Sequence, residues 1–285
     1  MVIASIAIGL LHKLLEFDRL TDCLAQLPRN RVNNGLKMIE TEFDVIAEAG
    51  EGGGSALPTG SLPELQRIRL ILFDLDGTLV DSVGDLAWCA NAMLERLGLA
   101  VHDEQAARSW VGNGLERFVK RVLTGKMDAE PALDLYERGL EIFRELYAVH
   151  ASDRSVLYPG VVETLQRLSS MDLTLACVTN KPEPFTSRLI TEMGLDVYFE
   201  LVVAGNTTAR KKPDPMPLHY AADHFGLAYD RCLMVGDSSN DVAAARAAGF
   251  AIACVPYGYN HGQDIRSSNP DLVVENLTLL ADLFS

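Results

Sequence analysis

The feature that most constrains this chain is a series of short, unbroken apolar runs separated by stretches of helical spacing. The runs are residues 70–75 (LILFDL), 173–179 (LTLACVT), 201–204 (LVVA), 232–236 (CLMVG), 251–255 (AIACV) and 272–274 (LVV). Apolar runs this short, without polar alternation, predict strands buried on both faces, as in a parallel sheet. Between them, residues 161–170, 184–193, 217–225 and 241–248 carry helical patterns. Strand alternating with helix predicts an α/β fold, a doubly wound, Rossmann-like parallel sheet with helices on both faces. Sheets of this kind bind ligands at the carboxyl ends of their strands, and the polar clusters of this chain fall there.

One interval breaks the alternation. From about residue 83 to 157 no strand pattern occurs, only helical ones at 86–97, 115–123 and 133–149. The reading is a small helical cap domain, 83–158, inserted after the first strand, with Tyr158-Pro159-Gly160 as the hinge back. The core is then 67–82 together with 159–285. Residues 51–66, dense in Gly, Ser and Pro, read as a flexible linker. The glycines there do not make a dinucleotide loop, because no strand precedes them and Leu57-Pro58 follows. Residues 1–50 read as a partly helical N-terminal extension, with Leu10, Leu11, Leu14, Leu15, Leu20, Leu24 and Leu27 at helical spacing.

Charge and cysteine usage remove several function classes. Net charge is 25 − 39 = −14, which argues against nucleic acid or an anionic membrane as a partner, so any phosphate must meet local cations. The longest apolar stretch, residues 2–11, is far short of the roughly 20 residues a spanning helix needs, and it lacks the flanks of a secretory signal. Cys23, Cys89, Cys177, Cys232 and Cys254 are odd in number and never paired as C-x-x-C. That pattern predicts a reduced, cytoplasmic protein with neither disulfides nor a zinc site. A homodimer is left open.

Four clusters carry the chemistry. Asp74-Leu-Asp76-Gly77-Thr78 ends the first run with two carboxylates. A divalent cation would offset their repulsion, leaving one as a nucleophile, while Asp76 could move a proton. The plain alternative is a turn at Asp76-Gly77 with Asp74 capping a helix. After the second run, the Thr179 hydroxyl and a following backbone N–H could hold a phosphoryl oxygen, or simply cap a strand end. Arg210-Lys211-Lys212-Pro213 is either a solvated basic loop or the source of a phosphate-neutralising lysine. Asp237 ends the fourth run and Asp241 follows four residues on. That pair could complete a magnesium site or orient the lysine, or could be an N-cap and a first-turn acid.

In this order and at strand ends, the four clusters resemble the haloacid dehalogenase superfamily of phosphotransferases, over about residues 67–285. The resemblance implies that Asp74 is the nucleophile, forming an aspartyl-phosphate, and that Asp76 is the acid/base. It implies that Thr179, Asn180 and Lys212 bind the phosphoryl group, with Lys211 facing solvent because the pattern is Lys-Pro. It assigns Mg2+ to Asp74, Asp76 (through its carbonyl), Asp237 and Asp241. Members of the family usually begin just before the first strand. The extra residues are therefore expected to play no catalytic part, and either dock an unknown partner or reflect an upstream start, with Met38 a later one.

Within the inserted cap, Gly112-Asn113-Gly114 opens a helix and would expose N–H groups to an anion, with Arg117 one turn further along. That suits a second negative charge on a small substrate, although an ordinary loop-to-helix start reads the same way. The stretch 74–82, the Val-Gly-Asn-Gly loop and residues 178–182 resemble bacterial phosphoglycolate phosphatases. The implied reaction is magnesium-dependent hydrolysis of 2-phosphoglycolate to glycolate and phosphate. Another small phosphate ester (a sugar phosphate or nucleotide), or a phosphomutase reaction, remains the alternative on the same core.

Overall fold

A computed structural model of the chain describes Thr59–Gly60 and residues 65–285. The extension over 1–50, Cys23 and most of the expected linker lie outside the described residues. The strands are β1 (Thr59–Gly60), β2 (Leu70–Phe73), β3 (Val80–Asp81), β4 (Val156–Leu157), β5 (Thr174–Val178), β6 (Leu201–Val203), β7 (Cys232–Gly236), β8 (Ala251–Cys254) and β9 (Leu272–Val273). The main sheet runs β1-β9-β8-β7-β2-β5-β6, parallel throughout except for β1, which pairs antiparallel with β9. The expected linker therefore contributes an edge strand at Thr59–Gly60, which two residues of its turn-rich sequence could not announce.

Alternating residues of each central strand feed opposite layers, as a strand's period of two requires. Ile71, Phe73, Leu175, Cys177, Leu233 and Val235 pack on one face. There they meet α5 (Val161–Ser169), α6 (Phe185–Glu192) and α9 (Leu277–Asp282). Leu70, Leu72, Ala176, Val178, Cys232 and Met234 face the other way, against α7 (Met216–His224) and α8 (Ser239–Ala248). Every residue of β2 and β7 is buried, which is why these strands read as continuous apolar runs. Cys89, Cys177, Cys232 and Cys254 are buried free thiols. Among the described residues no helix is long and apolar enough to cross a membrane.

The insertion holds α1 (Val83–Arg96), α2 (Glu104–Trp110), α3 (Leu115–Thr124) and α4 (Leu133–His150) around an apolar cluster of Met93, Trp110, Phe118, Phe143 and Tyr147, which Phe185 and Tyr259 of the core join. Sequence reading passed over α2, although the Asp103 side chain accepts from the Ala106 N–H at 2.7 Å, a capping signal visible in Asp-Glu-Gln-Ala. The chain enters and leaves the insertion side by side, because β3 and β4 pair antiparallel with Val80 opposite Leu157. A strand therefore lies where only helices were expected. Asp85, fully buried, ties this neck by accepting from the Arg154 N–H at 2.9 Å and the Ser155 N–H at 2.8 Å.

No described site residue precedes Asp74. Deleting residues 1–63 is accordingly expected to leave phosphate release within about twofold, since among the described residues it removes only the edge pairing of β1 with β9. A larger loss in folded truncated protein would overturn that expectation.

Candidate active site

The sheet order reverses around β2. The chain runs from β2 outward through β5 and β6, then returns to β7 on the other side. Such a switch point leaves a crevice at the strand ends, and Asp74, Thr179 and Asp237 each follow directly on β2, β5 and β7. The structure thus brings three of the four motifs together through strand register, and the loop carrying Lys212 supplies the fourth.

Lys212 is the centre of this arrangement. It is 2% exposed, and its Nζ lies 2.9 Å from Asp74 Oδ1 and 2.7 Å from Asp241 Oδ1, while donating to the Val178 carbonyl at 2.7 Å. Lys211 instead reaches the insertion, 3.6 Å from Glu116 Oε2, and is only partly exposed rather than free in solvent. Asp241 Oδ2 accepts from the Ser238 N–H at 3.0 Å and the Ser238 hydroxyl at 2.6 Å, forming a capping box at the start of α8. Asp241 therefore aims Lys212 and anchors α8 with the same carboxylate.

Among the described residues Asp237 has only neutral hydrogen-bond partners, the Thr78 hydroxyl at 2.8 Å and the Tyr259 N–H at 2.5 Å. Burial first, then Asp241 and Asp74, push its carboxyl well above the usual range. Asp74 rises to about 7 for the same leading reason: burial and Asp241 outweigh Lys212 and the Leu75 N–H. Ligand atoms of Asp74, Asp237 and Asp241 all lie within 4.8 Å of one another. One lysine, reaching two of these three buried carboxylates, leaves negative charge uncompensated, and all-oxygen donors suit a hard divalent cation. Gly77 and Gly258 close in on the Asp237 carboxylate from two sides; a Cβ at either would collide with it.

These shifts have a measurable consequence. Without a cation, folded Asp74 keeps its proton up to about pH 7, whereas the unfolded carboxyl releases it near its ordinary 3.8. The folded state holds the extra proton between those values and loses stability as pH rises through that window. Metal-free protein is expected to melt at lower temperature as pH goes from about 5 to about 7.5, and Asp74→Asn to flatten that slope. Magnesium should raise the melting temperature more at the higher pH. Identical slopes in wild type and variant would refute the assignment.

The remaining expected residues divide. Thr179 is buried, and its Oγ1 accepts from the Lys181 N–H at 3.1 Å, leaving the hydroxyl proton to donate. Asn180 lines the cleft, but its side chain clamps the insertion, donating to the Gly112 carbonyl at 3.0 Å and the Lys212 carbonyl at 2.9 Å. Asn240 donates to the same Gly112 carbonyl at 3.3 Å and accepts from Asn113 at 3.1 Å. The Gly112–Gly114 loop therefore meets the core asparagines with a carbonyl rather than with the N–H groups expected for an anion. Arg117 is not in the cleft. It pairs with Asp128 at 3.1 Å and Glu130 at 2.7 Å, on the outer side of α3. Leu115, Phe118, Val119 and Val122 take the buried stripe of that helix, and a residue two places from Leu115 falls on the opposite side.

Sequence reasoning missed four contributors: Ser82, whose hydroxyl donates to Asp76 Oδ1 at 2.5 Å; Thr78; Lys181; and Tyr147 of α4. Lys181 lies within residues 178–182, where nothing in its spacing sets it apart from Thr179 and Asn180. Tyr147 gave no signal, since an aromatic at helical spacing reads as core.

A family model described as haloacid dehalogenase-like hydrolase matches residues 71–255. The chain belongs to that family. Among curated relatives, the phosphoglycolate phosphatase of Nitrosococcus oceani is 52% identical over 221 residues, 78% of this chain and 98% of the relative. That of Thiobacillus denitrificans is 45% identical over 210 residues, 74% and 92% respectively. Among solved structures, a predicted phosphoglycolate phosphatase from Haemophilus somnus superposes with a TM-score of 0.73 at 34% identity, covering 77% of this chain and 99% of that one.

Proposed function

We propose that this phosphoric monoester hydrolase acts on 2-phosphoglycolate, giving glycolate and phosphate through an aspartyl-phosphate on Asp74. The observation that carries the substrate is 52% identity across 98% of the Nitrosococcus oceani phosphatase. The mechanism is supported by Asp74 and Asp76 opening on one cleft beside Thr179. An Asp74 oxygen attacks phosphorus in line, and the ester oxygen leaves with a proton from Asp76. Asp76 then takes a proton from water, whose oxygen displaces phosphate from Asp74 and restores its carboxylate. Lys212 counters the charge on the phosphoryl oxygens, and the Thr179 hydroxyl donates to one of them. Asp74, Asp237 and the Asp76 carbonyl would hold Mg2+, with Asp241 beside them aiming Lys212. The metal would supply charge neutralisation at the phosphoryl group. The Asn180 and Asn240 contacts to Gly112 would hold the insertion over the cleft and keep bulk water out.

The test is phosphate release from a panel of small esters, with magnesium and with EDTA. Metal-dependent release dominated by 2-phosphoglycolate is the expected result. Preference for a sugar phosphate or nucleotide would overturn the substrate, and release undiminished by EDTA would overturn the metal.

A further inference from the structure

The lining of the cleft includes a cation that the phosphoryl chemistry does not use. Lys181 is 6% exposed, and its Nζ donates to Asp76 at 2.9 Å and 3.2 Å and to the Tyr147 hydroxyl at 2.5 Å. Asp76 belongs to the core and Tyr147 to α4 of the insertion, so this ammonium spans the two. Burial opposes its charge, yet Asp76 and Tyr147 hold the proton more tightly than in a free lysine. Leu86, Val111, Leu115, Phe118 and Pro182 make much of the remaining wall apolar. Arg117 is turned away to Asp128 and Glu130, and Lys212 is shared between Asp74 and Asp241. Among the described residues that line the cleft, Lys181 is the one lysine or arginine.

Two requirements meet at this residue. A second anionic group on the substrate, entering an otherwise apolar pocket, needs a cation there. Asp76, with Oδ1 engaged by Ser82 and Lys181 and Oδ2 by Lys181, must leave the lysine to reach the ester oxygen. We propose that Lys181 determines specificity: the substrate's second anion takes its ammonium over from Asp76, which seats the substrate and frees Asp76 in one exchange. Tyr147 keeps the ammonium at the cleft while its partner changes. An ester without the second anion leaves Asp76 held. This inference rests on the reading of a small doubly anionic substrate and names the residue that reads it.

The experiment compares kcat/KM for 2-phosphoglycolate and for ethyl phosphate, which carries a methyl group in place of the carboxylate, using the full chain with magnesium. Lys181→Met is expected to lower the ratio of the two by about 100-fold, the size of a lost buried charge-assisted contact. Lys181→Arg should keep most of the preference. Tyr147→Phe, which retains the pair with Asp76, should lower the ratio by about tenfold, and it carries the test if Lys181→Met does not fold. Damage to the fold or to Asp76 alone depresses both esters together; an unchanged ratio would therefore overturn the proposal. A wild type that does not favour 2-phosphoglycolate would instead be a failure of the substrate reading, visible before any variant is made.

Discussion

Asp74→Asn is expected to reduce phosphate release by about 10⁴-fold or more, because an amide cannot attack phosphorus and no neighbouring group replaces it. The fold should survive. The Asn oxygen can still accept from the Leu75 N–H and from Lys212, at the 2.8 Å and 2.9 Å positions that Asp74 Oδ1 uses. Removing one of the crowded carboxylates also relieves repulsion with Asp241, so melting without metal should hold or rise. Phosphate release and thermal melting on the same preparation check both halves. Folded variant with near wild-type turnover would remove Asp74 from the nucleophile's role.

Lys212→Met should fail in both respects. The lysine sits buried against Asp74 and Asp241, and without it two carboxylates face each other with no countercharge. Breaking a buried pair from one side costs about 3–5 kcal/mol, which for a chain of this size is roughly 10 °C of melting temperature. Turnover should fall by about 10³-fold, the loss of a preorganised charge at the transferring group. Adding Asp241→Asn should recover part of the stability and none of the activity. Lys211→Met, altering the half-exposed neighbour that reaches Glu116, is the contrasting variant. If it inactivates and Lys212→Met does not, the assignment of the phosphate-binding lysine is reversed.

The core was legible because a strand buried on both faces leaves its mark residue by residue, and β2, β5, β7 and β8 are such strands. The positions of Asp74, Thr179 and Asp237 followed from that, since each comes directly after a strand whose end the sequence shows. Lys212 was separable from Lys211 by its proline neighbour. What did not come through is the set of contacts between the insertion and the core. The loop glycines suggested donors for an anion, but in three dimensions the asparagines of the core use the Gly112 carbonyl. Arg117 was assigned by its distance from a helix start, whereas the apolar stripe of α3 decides which way it points. Tyr147 and Lys181 are 34 residues apart, on elements whose approach depends on how the insertion folds back. No local pattern encodes that approach. The two-residue strands β1, β3 and β4 are likewise defined by their partners and not by their own composition.

The neck has a consequence for how such a protein can change. Val80 and Leu157 face each other across β3 and β4, at the short separation of an antiparallel pair. A tight turn could close the core at that point and leave the main sheet's parallel strands unbroken. Everything between is a removable cassette, attached through one pair of adjacent strands and tied down by Asp85. Substitutions inside it can redraw what the cleft admits while the carboxylates and Lys212 stay where the sheet puts them. A lineage with this architecture can acquire new substrates by rewriting the cassette, and recombination at the neck can transplant a finished one.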